Sequence, residues 1–129
     1  MAAWRFALFT IATGMLETSA EWNTFEIDAP TLAHWMRHGE VVLIDVREPE
    51  EHHEEHIPGA ILVPLSSLDP CLLEDCFGRR TIVLHCLAGS RAEKAVAMFA
   101  NSGHAPPATL RDGLLGWQSA GLPTEGHGA

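Results

Sequence analysis

Thr81-Ile-Val-Leu-His-Cys86-Leu-Ala-Gly-Ser-Arg91, continued by Ala92-Glu-Lys-Ala-Val-Ala-Met-Phe-Ala100, is the stretch from which the fold is read. Thr81 to His85 is β-branched and apolar, the composition of a buried strand, while Ala92 to Ala100 is built from good helix formers. Only Cys86, Leu87, Ala88, Gly89, Ser90 and Arg91 lie between them, so a tight strand-to-helix loop is expected. Its cysteine stands at the carboxyl end of the strand, where open α/β sheets place their ligands.

That placement has a chemical consequence. The first N–H groups of a helix have no backbone partner and carry the positive end of the macrodipole, so they stabilise an anion in the loop. The anion is the Cys86 thiolate or a group covalently attached to it. Arg91 returns a permanent cation to the loop five positions after the sulfur, and Gly89 lets successive N–H groups turn inward. The alternative is an inert buried cysteine beside a solvated helix arginine, since free cysteine is among the most buried residue types.

Outward from this stretch, strands alternate with helices. Thr24-Phe-Glu-Ile27 reads as a short strand, and Asp28 with Pro30 supplies a cap and an early helical proline for a helix over Thr31 to His38, stopped by Gly39. Val41-Val-Leu-Ile-Asp45 is a continuous apolar run, the pattern of a parallel strand buried on both faces. Pro49 to His56 reads as a solvated acidic turn of helix, Ala60 to Val63 as a strand, and Leu72 to Phe77 as a further turn of helix. Pro106 and Pro107 keep a last strand, Ala108 to Leu110, short. Leu114, Leu115 and Trp117 on a final helix are expected in the core. Asp45, at a strand end, requires a partner, and Arg47 with Glu50 and Glu51 is the expected charge network. The alternation points to an α/β layer structure.

At this point the residues resemble a known family. Cys86-Leu-Ala-Gly-Ser-Arg91 is similar to the active-site loop of rhodanese (thiosulfate sulfurtransferase-like) domains, in which a cysteine and an arginine bracket four residues. Leu43-Ile-Asp45-Val-Arg47-Glu-Pro-Glu-Glu51, followed by His56-Ile-Pro58-Gly59-Ala60, resembles the family's amino-terminal signature. Gly113-Leu-Leu-Gly-Trp117-Gln-Ser-Ala-Gly121-Leu-Pro123 resembles its carboxyl-terminal one, and together the motifs cover Thr24 to Pro123. Two positions depart from the pattern: Glu55 replaces the usual glycine before the His-Ile pair, and His52 stands where an aromatic is common.

The resemblance implies an open parallel β-sheet flanked by helices on both faces, over residues 23–125, with an apolar extension at 1–22 and a tail at 126–129. It implies sulfur transfer through a Cys86 persulfide, with Leu87, Ala88, Gly89, Ser90 and Arg91 binding the substrate, and with no cofactor and no metal. The implied partners are a small sulfur donor such as thiosulfate or a persulfide, a thiol or cyanide acceptor, and a sulfur-relay protein. Asp45 and Arg47 become structural supports at the rim. Two rivals stand beside it. A phosphatase branch of the fold has a loop one residue longer, and a non-catalytic interaction module usually lacks the cysteine.

Composition narrows the classes further. With 129 residues, 47% hydrophobic and 19% charged, the chain is long enough for one domain with a real core. Eight Lys and Arg against seventeen Asp and Glu give a net charge of -9, which repels nucleic acid and anionic membrane surfaces. Three cysteines, Cys71, Cys76 and Cys86, cannot all pair within one chain and match no disulfide scaffold. His52, Glu55 and His56 fit a zinc-peptidase spacing, but Ile57-Pro58-Gly59 ends any helix that would hold both histidines on one face. Phe6 to Leu16 is apolar and too short to span a membrane as a helix. Three readings stand: an added helix packed on the domain of a cytoplasmic protein, a mobile extension, or an export signal ending near Ala20.

Overall fold

A computed structural model describes residues 16–19 and 24–127. Six strands form one sheet: β1 (Leu16–Ser19), β2 (Thr24–Ile27), β3 (Val41–Asp45), β4 (Ile61–Leu62), β5 (Thr81–His85) and β6 (Ala108–Leu110). Their order is β1-β2-β6-β5-β3-β4, so the cysteine-bearing β5 lies inside the sheet between β6 and β3. All neighbours are parallel except β1, which runs antiparallel to β2. The α/β layering expected from the alternation is observed, and β2 to β6 form the open parallel sheet that the resemblance implies, with β1 added antiparallel at its edge.

Among the described residues there are five α-helices: α1 (Ala29–Arg37), α2 (Pro49–Glu54), α3 (Pro70–Phe77), α4 (Ser90–Asn101) and α5 (Gly113–Ser119). The period-two alternation of the central strands sends their side chains into two cores. Val41, Leu43 and Val83 meet Leu32 of α1 and Leu114 and Trp117 of α5 on one face. Val42, Ile44, Ile82 and Leu84 meet Leu73 of α3 and Ala95, Val96 and Phe99 of α4 on the other. Every residue of β3 is buried, as its unbroken apolar run requires. Phe99 is fully buried at the centre of the second core. Phe99→Ala is expected to cost about 3–5 kcal/mol, read as a lower urea midpoint at unchanged slope.

Several boundaries differ from those read in the sequence, each for a local reason. α1 begins at Ala29 because the Asp28 carboxylate accepts the Thr31 N–H at 2.9 Å and Pro30 needs no donor in the first turn. α3 begins two residues early, at Pro70, because Asp69 accepts the Cys71 N–H at 3.1 Å. β4 is reduced to two residues at the sheet edge. Ser90 and Arg91 belong to the first turn of α4 rather than to the loop. Leu16–Ser19, read as part of an amino-terminal extension, adds an edge strand by pairing with β2. An edge strand leaves a row of backbone groups open to such pairing. The added-helix, extension and export-signal readings of residues 1–15 fall outside the described residues. Glu125, the last residue of the expected domain, and His127, in the expected tail, bond back to the backbones of His56 and His53. Among the described residues no helix is long and apolar enough to cross a membrane.

Candidate active site

Cys86 directly follows β5 with its side chain buried, and the Gly89 N–H donates to its Sγ at 3.0 Å. The loop reaches that geometry because Gly89 adopts φ 132°, a conformation that side-chain-bearing residues rarely take, immediately before α4 starts. Leu87, Ala88 and Ser90 are exposed, whereas Gly89 and Arg91 are half-buried.

The outer side of the loop is held by α5. The Leu114 N–H donates to the Cys86 carbonyl at 2.9 Å and the Leu115 N–H donates to the Leu87 carbonyl at 3.1 Å. With these two carbonyls bound to α5, the Gly89 N–H is the donor that reaches the sulfur. The contact tolerates no side chain at Gly113, where a Cβ would lie 2.5 Å from the Cys86 oxygen and 2.6 Å from the Leu87 oxygen. Asp112 and Gly113 both take positive φ, 59° and 56°, to bring α5 this close. Of Leu114, Leu115 and Trp117, the three expected in the core, Leu114 and Trp117 are buried there. Leu115 is a correction: it is 46% exposed, because its side chain leaves the face that Leu114 and Trp117 bury.

Arg91 is paired with a residue that sequence reasoning assigned elsewhere. Its Nη1 and Nη2 reach Glu51 Oε1 and Oε2 at 2.6 and 3.1 Å, a two-pronged pair between α4 and α2. The bond to Arg91 holds the Glu51 carboxyl below the ordinary carboxylate range despite partial burial, and the same bond raises Arg91. Glu51 also accepts the Glu48 N–H at 3.0 Å, fixing the start of α2. Its expected place in the Asp45 network is therefore corrected, and Glu50 is simply exposed. The one signal for Glu51 in the sequence was its place at the end of the amino-terminal signature.

Beneath the loop, Asp45 is fully buried and pairs with Arg47, whose Nε and Nη2 lie 3.0 and 2.8 Å from its two oxygens. His52 Nδ1 donates to Asp45 Oδ2 at 2.9 Å, and Arg47 Nη2 donates onward to the Glu55 carbonyl at 2.7 Å. Of the two departures from the family pattern, His52 enters this network through its side chain, whereas Glu55 enters through its backbone carbonyl and its carboxylate accepts the Thr124 hydroxyl at 2.6 Å. Burial would raise the Asp45 carboxyl, but Arg47, His85 and His52 outweigh it and leave the group depressed. His85 is fully buried next to the cysteine, and its Nδ1–H donates to the Cys86 carbonyl at 3.0 Å, so the Cys86 oxygen receives two donors. Burial pushes the imidazole down, outweighing the attraction of Asp45.

These shifts set an acid sensitivity. His85 binds its proton more readily in the unfolded chain, near its ordinary 6.5, so stability falls as pH drops through that region. Asp45 contributes stability that is complete above its unfolded value of 3.8 and is lost as pH falls further. The urea midpoint is expected to be lower at about pH 5 than at about pH 7.5, and His85→Gln should flatten that part of the profile.

The remaining candidates lie apart from the loop. His52 and His56 stack with ring centroids 4.1 Å apart, and His56 Nδ1 is spent on the His52 carbonyl at 2.6 Å. Among the described residues no group of three His, Cys, Asp or Glu stands in position to hold a metal ion. Cys71 and Cys76 are free, exposed thiols on α3, with Cys71 Sγ 3.2 Å from His104 Nε2.

The chain is similar to known proteins. A Synechocystis protein is 40% identical over 94 residues, 73% of this chain, and this chain spans about half (52%) of its length. A sulfurtransferase of Allochromatium vinosum is 32% identical over 99 residues, covering 76% of this chain and 92% of that one. The crystal structure of a thiosulfate sulfurtransferase from Pseudomonas aeruginosa superposes with a TM-score of 0.73 at 29% identity, over 83% of this chain and 21% of that one. The family model described as "Rhodanese-like domain" matches residues 28–120, from the Asp28 cap through the cysteine loop to the end of α5, and the chain belongs to that family.

Proposed function

We propose that this chain is a sulfurtransferase that carries sulfane sulfur as a persulfide on Cys86. The observation that supports it best is the sulfur itself, directly following a central parallel strand and accepting the Gly89 N–H at 3.0 Å within a loop whose Cys86 and Leu87 carbonyls are tied to α5. In the first step the Cys86 thiolate attacks the outer sulfur of a donor such as thiosulfate. The donor's S–S bond breaks, its electron pair leaves with sulfite, and Cys86 becomes a persulfide anion. In the second step cyanide or a thiolate attacks the terminal sulfur, and the electron pair of that S–S bond restores the Cys86 thiolate. The Gly89 N–H that donates to the sulfur offsets part of the negative charge that both forms of Cys86 carry. A small thiol or a sulfur-relay protein is the natural acceptor. Three free thiols suit a reducing compartment, so the cytoplasm is the proposed location.

The loop length argues against phosphoryl transfer. With four residues between Cys86 and Arg91, and with Arg91 bound to Glu51, the cradle suits one sulfur rather than a phosphoryl group. Intact mass after incubation with a sulfur donor is the test: a gain of one sulfur atom on Cys86, reversed by cyanide, is the expected result. Rapid Cys86-dependent hydrolysis of an aryl phosphate with no persulfide would replace this reading by the phosphatase.

A further inference from the structure

Resting on the sulfurtransferase reading, we infer that the preferred donor is a monoanionic organic sulfane-sulfur compound with an apolar body, rather than the thiosulfate dianion. Three features meet at the loop. The charge of Arg91 is already balanced by a two-pronged pair with Glu51, at 2.6 and 3.1 Å, so it offers a dianion little net attraction. Beside the loop, an open cleft of about 520 Å³ is bordered by Ala88 and Leu115 and carries Asp28, Arg111 and Asp112 as its ionisable residues. Two carboxylates against one guanidinium leave that wall formally negative, and Arg111 is itself engaged by other groups. Third, Leu87 and Leu115 are 39% and 46% exposed on segments joined by the Leu115 N–H to Leu87 carbonyl bond.

A cleft of this volume holds a small organic group, and the exposed Leu115 on its wall, with Leu87 joined to it through the backbone bond, gains by covering with apolar surface. A second negative charge on the donor is opposed by the cleft wall and by the net charge of -9. The chemistry is unchanged by the choice of donor. For a thiosulfonate, R–SO2–S⁻, the Cys86 thiolate attacks the outer sulfur, the S–S bond breaks with its electron pair on the departing sulfinate R–SO2⁻, and Cys86 becomes a persulfide anion. Two negative charges enter and two remain.

The test loads Cys86 of the full chain with three donors and follows the persulfide by intact mass. Thiosulfate is the dianion without a body, methanethiosulfonate the monoanion with a minimal body, and benzenethiosulfonate the monoanion with an apolar one. Each rate constant is divided by that of the same donor with free cysteine, which removes intrinsic reactivity. The expected order is benzenethiosulfonate, methanethiosulfonate, thiosulfate, with the aryl donor ahead of the methyl donor by about tenfold. Leu115→Asp, at an exposed position, should bring the aryl and methyl donors within about twofold of each other. Glu51→Gln should raise thiosulfate against methanethiosulfonate by about fivefold, because Arg91 then lacks its balancing charge. These ratios are internal to each variant and do not depend on how much of it folds. Corrected thiosulfate loading as fast as that of benzenethiosulfonate would overturn the donor assignment while leaving sulfur transfer standing, and so would an aryl preference that survives Leu115→Asp. Failure of all three donors to load Cys86 would remove the sulfurtransferase reading and the donor assignment together.

Discussion

Cys86→Ser is expected to lower sulfur transfer by at least about a thousandfold while leaving the fold in place. Serine oxygen is hardly ionised where a thiol forms thiolate, and it cannot carry a sulfane sulfur through the two displacements. The structural cost is small. The side chain is buried, but the Gly89 N–H that donates to Sγ at 3.0 Å remains to satisfy a hydroxyl oxygen, so the substitution should cost only about 1 kcal/mol. The measurements are steady-state turnover with a sulfur donor and cyanide, beside a thermal melt. Wild-type turnover in the serine variant would move the nucleophile to Cys71 or Cys76, both exposed on α3.

Gly113→Ala should damage both stability and activity, because the added methyl meets backbone rather than a movable side chain. A Cβ there lies 2.5 Å from the Cys86 oxygen and 2.6 Å from the Leu87 oxygen, at φ 56°. Relief requires moving α5 away from the loop, which breaks the Leu114 and Leu115 bonds to those carbonyls. Left-handed strain and overpacking together suggest a loss of about 2–4 kcal/mol, and a shift of about 1 Å in the loop suggests a fall in turnover of tenfold or more. Gly121→Ala is the matched control: it too has positive φ, 77°, but nothing lies within 4 Å of the added carbon. Its cost should stay near 1 kcal/mol with turnover intact. If both alanine variants behave alike, α5 does not brace the loop.

The strand, loop and helix around Cys86 were legible in the sequence because each depends on neighbours in the chain. Unbroken apolar runs mark β3 and β5, strong helix formers mark α4, and proline and glycine mark the breaks between them. Asp45 with Arg47 was legible for the same reason, being two residues apart. Element ends were less so: whether a helix starts at Ser90 or Ala92 depends on the φ that Gly89 adopts, not on residue type alone.

Sequence order by itself therefore determined the α/β alternation, the loop with its cysteine, and the acidic character of the chain. Tertiary structure alone decided what touches that loop. Glu51 and Arg91 stand forty positions apart and meet because parallel β3 and β5 place their carboxyl ends, and the helices that follow them, at the same end of the sheet. Gly113 meets the Cys86 and Leu87 carbonyls because β6 runs parallel beside β5 and delivers α5 to that same end. The pairing of β1 with β2 and the exposure of Leu115 were hidden for a related reason. Composition states that a residue is apolar, but which face of an element meets a neighbour is set only when the layers pack.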